Sequence, residues 1–133
     1  SVKGDALVIG SDTIVYCDEI MGEPRNREEA FCMLTKLSGK QHLVISGISI
    51  INTATGESLT EHESTKVKIK ELSRDEITAY INTGEPEDKA GAYAIQGLGS
   101  LFVEGIQGDY FNVVGLPIFR LRKMLEHFGV MLI

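Results

Sequence analysis

The sequence contains few of the residues that build disulfide or metal-bound frameworks. Its 133 residues include two cysteines, Cys17 and Cys32, and three histidines. The spacing of the cysteines matches no zinc or redox motif, and the histidines are scattered along the chain. A disulfide framework is therefore not expected, and a reducing, cytoplasmic location is the simplest expectation.

Long apolar runs and an excess of positive charge are also lacking. No apolar run approaches the roughly 20 residues of a membrane span, so we expect no membrane partner. The formal net charge is -6, which argues against nucleic acid as the main partner. A small anionic ligand is not excluded, because a few local cations can hold a phosphate. No P-loop, dinucleotide fingerprint or nucleophile elbow is present.

The pattern of apolar residues predicts one mixed α/β domain over residues 1–133. The apolar run at residues 6–10 indicates a strand covered on both faces, which ends at Ser-Asp-Thr. The alternation over residues 66–70 indicates a half-exposed antiparallel strand. Asn26 and Ser73 each precede a glutamate by three residues, the capping-box pattern that starts a helix.

Three polar side chains are candidates for a binding or catalytic site. Asp12 follows the most apolar strand, where a carboxylate can bind a divalent cation or take a proton from water. Lys89 precedes Ala-Gly and can reach a phosphate as a point charge. Gln96 can both donate and accept hydrogen bonds, which suits the edge of a base. From the residues alone, a turn aspartate, a solvated lysine and a backbone-bonded glutamine are equally good or better interpretations.

Asp109 and Asn112 are polar residues in an otherwise apolar segment, residues 108–117. They could belong to a ligand-binding loop. A tight connection that leads into a final helix from Pro117 is the simpler interpretation.

Five segments in order resemble the Maf family of nucleoside triphosphate pyrophosphatases, which includes septum formation proteins. They are IGSDTIV, GEPRNREEAFCMLTKLSGKQH, STKVKI, YINTGEPEDKAGAYAIQG and GDYFNVVGLP. The resemblance extends over essentially the whole chain. It implies an α/β fold similar to that of the inosine triphosphate pyrophosphatases, with a mixed twisted sheet, flanking helices and a cleft.

The same resemblance implies an enzyme that cuts a nucleoside triphosphate between its α and β phosphates with the help of Mg²⁺ or Mn²⁺. Asp12 matches the aspartate of the family's (A/S)DT motif, a proton acceptor or metal contact. Thr13 and Gln96 match the residues that accompany preference for dTTP and UTP, and Lys89 matches a phosphate contact. A homodimer is also plausible, because the last helix is amphipathic and a sheet edge is expected to be uncovered.

Two departures from the family pattern suggest an alternative. The family's N-terminal S-x-S-P-R-R segment has no counterpart here, so we expect the sequence to correspond to the C-terminal two-thirds of the family's length. Glu23 stands where the family usually has a lysine. A catalytically impaired nucleotide-binding or division-regulating module is therefore a second hypothesis, and a purine-directed pyrophosphatase of the inosine triphosphate type is a third.

Overall fold

The computed structural model describes residues 6–133, so the first five positions of the expected 1–133 domain lie outside the described residues. The strands are β1 (Leu7–Tyr16), β2 (Ile20–Met21), β3 (Gln41–Asn52), β4 (Ser58–Ile69) and β5 (Val103–Gln107). The α-helices are α1 (Arg27–Leu37), α2 (Arg74–Asn82), α3 (Tyr110–Val114) and α4 (Ile118–His127). Three 3₁₀ helices span Glu85–Asp88, Ala90–Ala92 and Leu98–Phe102.

The strands of the described chain form one sheet in the order β2-β1-β3-β4-β5, and each is antiparallel to its neighbours. The expected α/β class with helices flanking a sheet is confirmed. The pairings are all antiparallel, whereas the expected mixed sheet has strand pairs of both directions. For β3 and β4 the antiparallel pairing follows from the short turn at residues 53–57 that joins them.

The helices pack on one face of the sheet, as the alternation of buried residues along β3 shows. Val44, Ile48 and Ile50 are buried, whereas Leu43 and Ile45, which point to the opposite face, are half-buried. Apolar residues of both α1 and α2 pack into a core with Val44. In α4 the buried residues are Met124 and Leu125. None of the helices in residues 6–133 is long and apolar enough to cross a membrane.

Local sequence signals account for the starts of these helices. The Asn26 side chain accepts a hydrogen bond from the Glu29 amide at 2.7 Å and begins α1. The reciprocal half of that predicted capping box is not formed, because the Glu29 carboxylate pairs with Arg25 instead. The capping box of Ser73 and Glu76 is complete.

The expectation that residues 6–10 form a strand covered on both faces is wrong. The side chains of Val8 and Ile9 are 54% and 46% exposed. The strand also does not end at Ser-Asp-Thr, because β1 continues to Tyr16 through ten consecutive pairs with β3. A short apolar run fits an exposed strand that is paired along one edge as well as it fits a buried one.

A layer of buried polar side chains separates two apolar cores on the helical face. One core lies under α1 and α2, and the other joins β3 to α4. Between them, the Nδ2 of Asn112 lies 3.0 and 3.1 Å from the carbonyl oxygens of Val44 and Glu63 and 2.9 Å from the Thr65 hydroxyl, and its two N–H groups are shared among these three acceptors. Asp109 accepts from the Phe111 amide and so caps α3. The segment leads into a final helix, as expected, but it is not a plain connection, because it contains the short helix α3.

We predict that Asn112→Ala lowers the free energy of unfolding by about 2–4 kcal/mol, because it leaves buried carbonyls without their donor and opens a small cavity. Chemical denaturation followed by circular dichroism measures this. The matched control is Asn82→Ala, an exposed asparagine at the end of α2, which should change the value by less than about 0.5 kcal/mol. Equal effects of the two substitutions would contradict the role of the buried amide.

Candidate active site

The sequence candidates Asp12, Thr13, Lys89 and Gln96 all line one cleft of about 740 Å³. One wall is formed by residues 12–15 of β1, and the facing wall by the 3₁₀ segments and loop over residues 88–97. The end of α3 at residues 113–115, the turn at residues 22–23, Val44 of β3 and Glu85 complete the lining. The structure therefore brings together four residues that are up to 84 positions apart in the sequence.

Asp12 lies in the middle of β1 and not at its end, which corrects the expected position at the carboxyl end of a strand. Its Cα is paired with Gly47 of β3. One carboxylate oxygen accepts from the Thr13 amide at 3.0 Å, and the side chain is exposed to the cleft. The residues before and after Asp12 in β1 are paired with β3, which fixes its backbone, so the carboxylate projects from a rigid wall.

Thr13 connects β1 to the end of α3. Its hydroxyl lies 2.8 Å from the Ser46 hydroxyl and 3.3 Å from the Gly115 carbonyl. Ser46 in turn donates to the Asn112 carbonyl at 3.4 Å. These contacts connect the buried polar layer to the cleft wall. The Thr13 hydroxyl therefore has a structural role in addition to the role in nucleotide preference that the resemblance implies.

The facing wall lies close to β1 because one of its residues has no side chain. Gly91 has a φ of +72°, and a Cβ there would approach the Val15 side chain to 2.8 Å. The Gly91 amide also donates to the Gly22 carbonyl at 3.1 Å. This close packing places Lys89 across the cleft from β1, where its ammonium group pairs with Asp88 at 2.7 Å.

Gln96 lies in the loop between the second and third 3₁₀ helices, and its side chain is exposed. Within residues 6–133, its carboxamide has no intramolecular hydrogen bond. Both its donor and its acceptor are therefore free to contact a ligand. The small neighbours Ala94 and Gly97 also line the cleft and leave room beside it.

The described lining of the cleft carries more negative than positive charge. Asp12, Glu23, Glu85 and Asp88 contribute four carboxylates, whereas Lys89 contributes one ammonium group. The hydrogen bond and charge of Lys89 lower the pKa of Asp88 below its ordinary value. A polyphosphate that enters this cleft therefore needs positive charge beyond Lys89.

The cleft could bind a divalent cation through a carboxylate together with water and substrate phosphates. Within residues 6–133 no group of three or more His, Cys, Asp or Glu residues is arranged to hold a metal by itself. Mg²⁺ is commonly bound by one or two carboxylates together with water and substrate phosphates, and the exposed carboxylate of Asp12 suits that mode.

Beneath the cleft, His42 and Tyr93 form a buried pair that the sequence patterns did not indicate. His42 is 2% exposed, and its Nε2 lies 2.7 Å from the Tyr93 hydroxyl. Burial lowers the pKa of His42 to about 4 and raises the pKa of Tyr93. Both side chains are thus neutral near pH 7, and the pair holds the Tyr93 ring in the floor of the cleft.

Comparison with known proteins identifies the class of protein to which this cleft belongs. The sequence profile of the family described as Maf-like protein matches residues 1–128. The chain therefore belongs to the Maf-like protein family, as the sequence motifs predicted.

Individual relatives carry a more specific name. A protein of Acetivibrio thermocellus is 55% identical over 93% of this chain and 62% of its own length. A protein of Desulforamulus reducens is 50% identical over 97% of this chain and 68% of its own length. A protein of Alkaliphilus oremlandii is 53% identical over 99% of this chain and 69% of its own length. All three are named dTTP/UTP pyrophosphatase. The chain thus spans about two-thirds of the length of these curated relatives.

We predict that acid destabilises the protein through His42. The unfolded chain takes up the proton near pH 6.5, whereas the folded chain holds the imidazole neutral down to about pH 4. Protonation therefore favours the unfolded chain as the pH falls through this window, by up to roughly 3 kcal/mol at pH 4. His42→Gln, which cannot titrate, should flatten this part of the curve of unfolding free energy against pH.

The matched control is His62→Gln, because His62 is exposed on β4. Carboxylates contribute an acid dependence of their own, so the informative quantity is the difference between each variant and the wild type. A difference curve for His42→Gln that is as flat as the curve for His62→Gln would contradict the prediction.

Proposed function

We propose that this protein is a nucleoside triphosphate pyrophosphatase that acts on dTTP and UTP and gives the monophosphate and pyrophosphate. The observation that carries the proposal is the convergence of Asp12, Thr13, Lys89 and Gln96 on one cleft. The names of relatives that are 50–55% identical support the same substrate class. A cytoplasmic location and a homodimer remain predictions, as does a link to septum formation.

The proposed reaction is hydrolysis of the anhydride bond between the α and β phosphates. A water oxygen bonds to the α phosphorus as the bond from that phosphorus to the bridging oxygen breaks. The pyrophosphate group leaves with the electrons of the broken bond. The exposed carboxylate of Asp12 accepts the proton that the water loses. The water, the triphosphate and the base must be held in line, and the rigid position of Asp12 on β1 suits this requirement.

A bound Mg²⁺ or Mn²⁺ would neutralise phosphate oxygens and stabilise the charge that develops on the leaving pyrophosphate. We propose that Asp12 is the protein's carboxylate ligand to it. The acidic lining of the cleft supports this proposal, because a nucleotide complexed with a divalent cation is repelled less than a free triphosphate.

We further propose that Gln96 reads the pyrimidine and that Lys89 contacts a phosphate. Uracil and thymine present carbonyl and N–H groups side by side, which one carboxamide can pair with through its donor and its acceptor. The side chain of Lys89 is 40% exposed, and its ammonium group can exchange its partner Asp88 for a phosphate oxygen.

The first test of this function is Asp12→Asn with dTTP or UTP and Mn²⁺. The amide can neither accept the proton nor bind the cation as an anion, so we expect the rate of pyrophosphate release to fall by at least about 100-fold. The matched control is Asp18→Asn in the exposed turn after β1, where φ is +62° and asparagine is tolerated. Equal rates for Asp12→Asn and the wild type would contradict the assignment of the base.

A second candidate function, a nucleotide-binding module with impaired catalysis, is favoured by Glu23 in the cleft lining. This carboxylate repels phosphates where the family usually supplies a lysine. Such a module would be stabilised against heat by dTTP or UTP without releasing pyrophosphate. It would still require the cleft residues that contact the base.

Glu23→Lys tests the influence of this charge. Replacement of an anion by a cation at the cleft should lower the KM for dTTP by about 3- to 10-fold. If the wild type binds without turnover, the variant should also gain pyrophosphate release. Glu104→Lys on β5 makes the same change of charge at an exposed position outside the cleft lining and should alter neither quantity. An unchanged KM for Glu23→Lys would show that this carboxylate does not face the phosphates.

A further inference from the structure

The loop that carries Gln96 is held by a side chain from another segment. Glu85 accepts hydrogen bonds from two successive amides, those of Leu98 at 2.8 Å and Gly99 at 2.9 Å. These amides begin the 3₁₀ helix Leu98–Phe102, whose first residues have no cap from their own Gly97. Successive amides that point to one side form a concave site for an anion, and here the anion is the Glu85 carboxylate.

The other end of the loop is fixed through the same carboxylate. The Tyr80 hydroxyl donates to Glu85 and accepts from the Ala94 amide at 3.0 Å. Residues 94–99 are thus tied at both ends to a pair of side chains at the end of α2 and the start of the next 3₁₀ helix. Gln96 lies between the two attachment points.

The fit between the loop and Glu85 is close. A Cβ at Gly97, the residue after Gln96, would overlap the Glu85 carboxylate. Partial burial raises the pKa of Glu85, but the hydrogen bonds from Tyr80, Leu98 and Gly99 and the charge of Lys89 together lower it below its ordinary value. The carboxylate is therefore ionised at neutral pH and can accept from all three donors.

We propose that Glu85 is a positioning residue, which with Tyr80 sets the backbone of residues 94–99 so that the carboxamide of Gln96 meets the pyrimidine. This inference rests on the proposed function, since it concerns the same cleft. Glu85 also lines the cleft, but its two oxygens are engaged with the loop, so its action on the substrate passes through Gln96.

If Glu85 positions the loop, its substitution should change KM and leave kcat almost unchanged. A loosened loop must be ordered when the nucleotide binds, whereas the wall that carries Asp12 is unaffected. In Glu85→Gln the KM for UTP should rise by about 10-fold and kcat should change by less than about 2-fold. The ratio of kcat/KM for UTP to that for CTP should fall, because a carboxamide that is held less firmly can present its donor and acceptor in either order.

Glu87→Gln is the matched control, because Glu87 lies in the same 3₁₀ helix and is exposed outside the main cleft. It should leave the kinetic constants within about 2-fold of the wild type. Tyr80→Phe removes the bridging hydroxyl and keeps the ring that packs against Phe102, so it should shift KM in the same direction as Glu85→Gln by a smaller factor.

A double-mutant cycle with Gln96→Ala separates positioning from a general effect on folding. If Glu85 acts through Gln96, Glu85→Gln should cause less than about a 2-fold further change in the UTP-to-CTP ratio once Gln96 is alanine. Equal losses in both backgrounds would overturn the inference. So would a fall in kcat of the size expected for Asp12→Asn with KM unchanged, because Glu85 would then act in the chemical step.

Amide hydrogen exchange provides a readout that does not depend on turnover. Glu85→Gln should speed exchange at Leu98 and Gly99, whereas Glu87→Gln should not, and unchanged exchange would overturn the inference. A wild type that binds UTP without releasing pyrophosphate would refute the proposed hydrolysis alone. The double-mutant cycle would then be measured with the Kd values for UTP and CTP by calorimetry.

Discussion

The buried Asn112 side chain lies between two apolar cores, where its N–H groups need acceptors from the protein. The acceptors are backbone carbonyls of β3 and β4. The backbone carbonyl of Asn112 accepts in turn from Ser46, whose hydroxyl meets that of Thr13. The polar layer therefore extends from the centre of the sheet to the cleft wall. A shift of α3 would break several buried hydrogen bonds at once, so the position of β1 against α3 is set by folding and not by ligand binding.

The cleft combines this rigid wall with a lining that carries excess negative charge. Such a lining is unfavourable for a free triphosphate and acceptable for a nucleotide that arrives with a divalent cation. In the proposed division of tasks, Asp12 on the sheet would accept the proton, and Lys89 and a divalent cation would balance phosphate charge. Gln96 on the opposite wall would contact the base.

Sequence patterns predicted the helix starts at Asn26 and Ser73 and the half-exposed strand β4, because caps and alternation are local signals. The same patterns misplaced Asp12, since Ser-Asp-Thr resembles a turn wherever pairing with a second strand is unknown. The chemistry of Asp12, Lys89 and Gln96 made them candidates, but only the family motifs favoured that interpretation over the structural ones and added Thr13. The contacts of Glu85 with the Leu98 amide and of His42 with the Tyr93 hydroxyl could not be predicted, because each joins residues that are distant in the sequence.

The two walls of the cleft are held in place by different interactions, strand pairing for one and side-chain hydrogen bonds for the other. Asp12 lies inside ten consecutive strand pairs, so the conformational entropy of its backbone is already lost when the protein folds. Gln96 is carried by a loop that three side-chain hydrogen bonds restrain at its ends. Under the proposed function, substitutions in the loop and its anchors would change the base that the cleft accepts, while the sheet would keep Asp12 in place. Selectivity and chemistry can vary separately on such a scaffold.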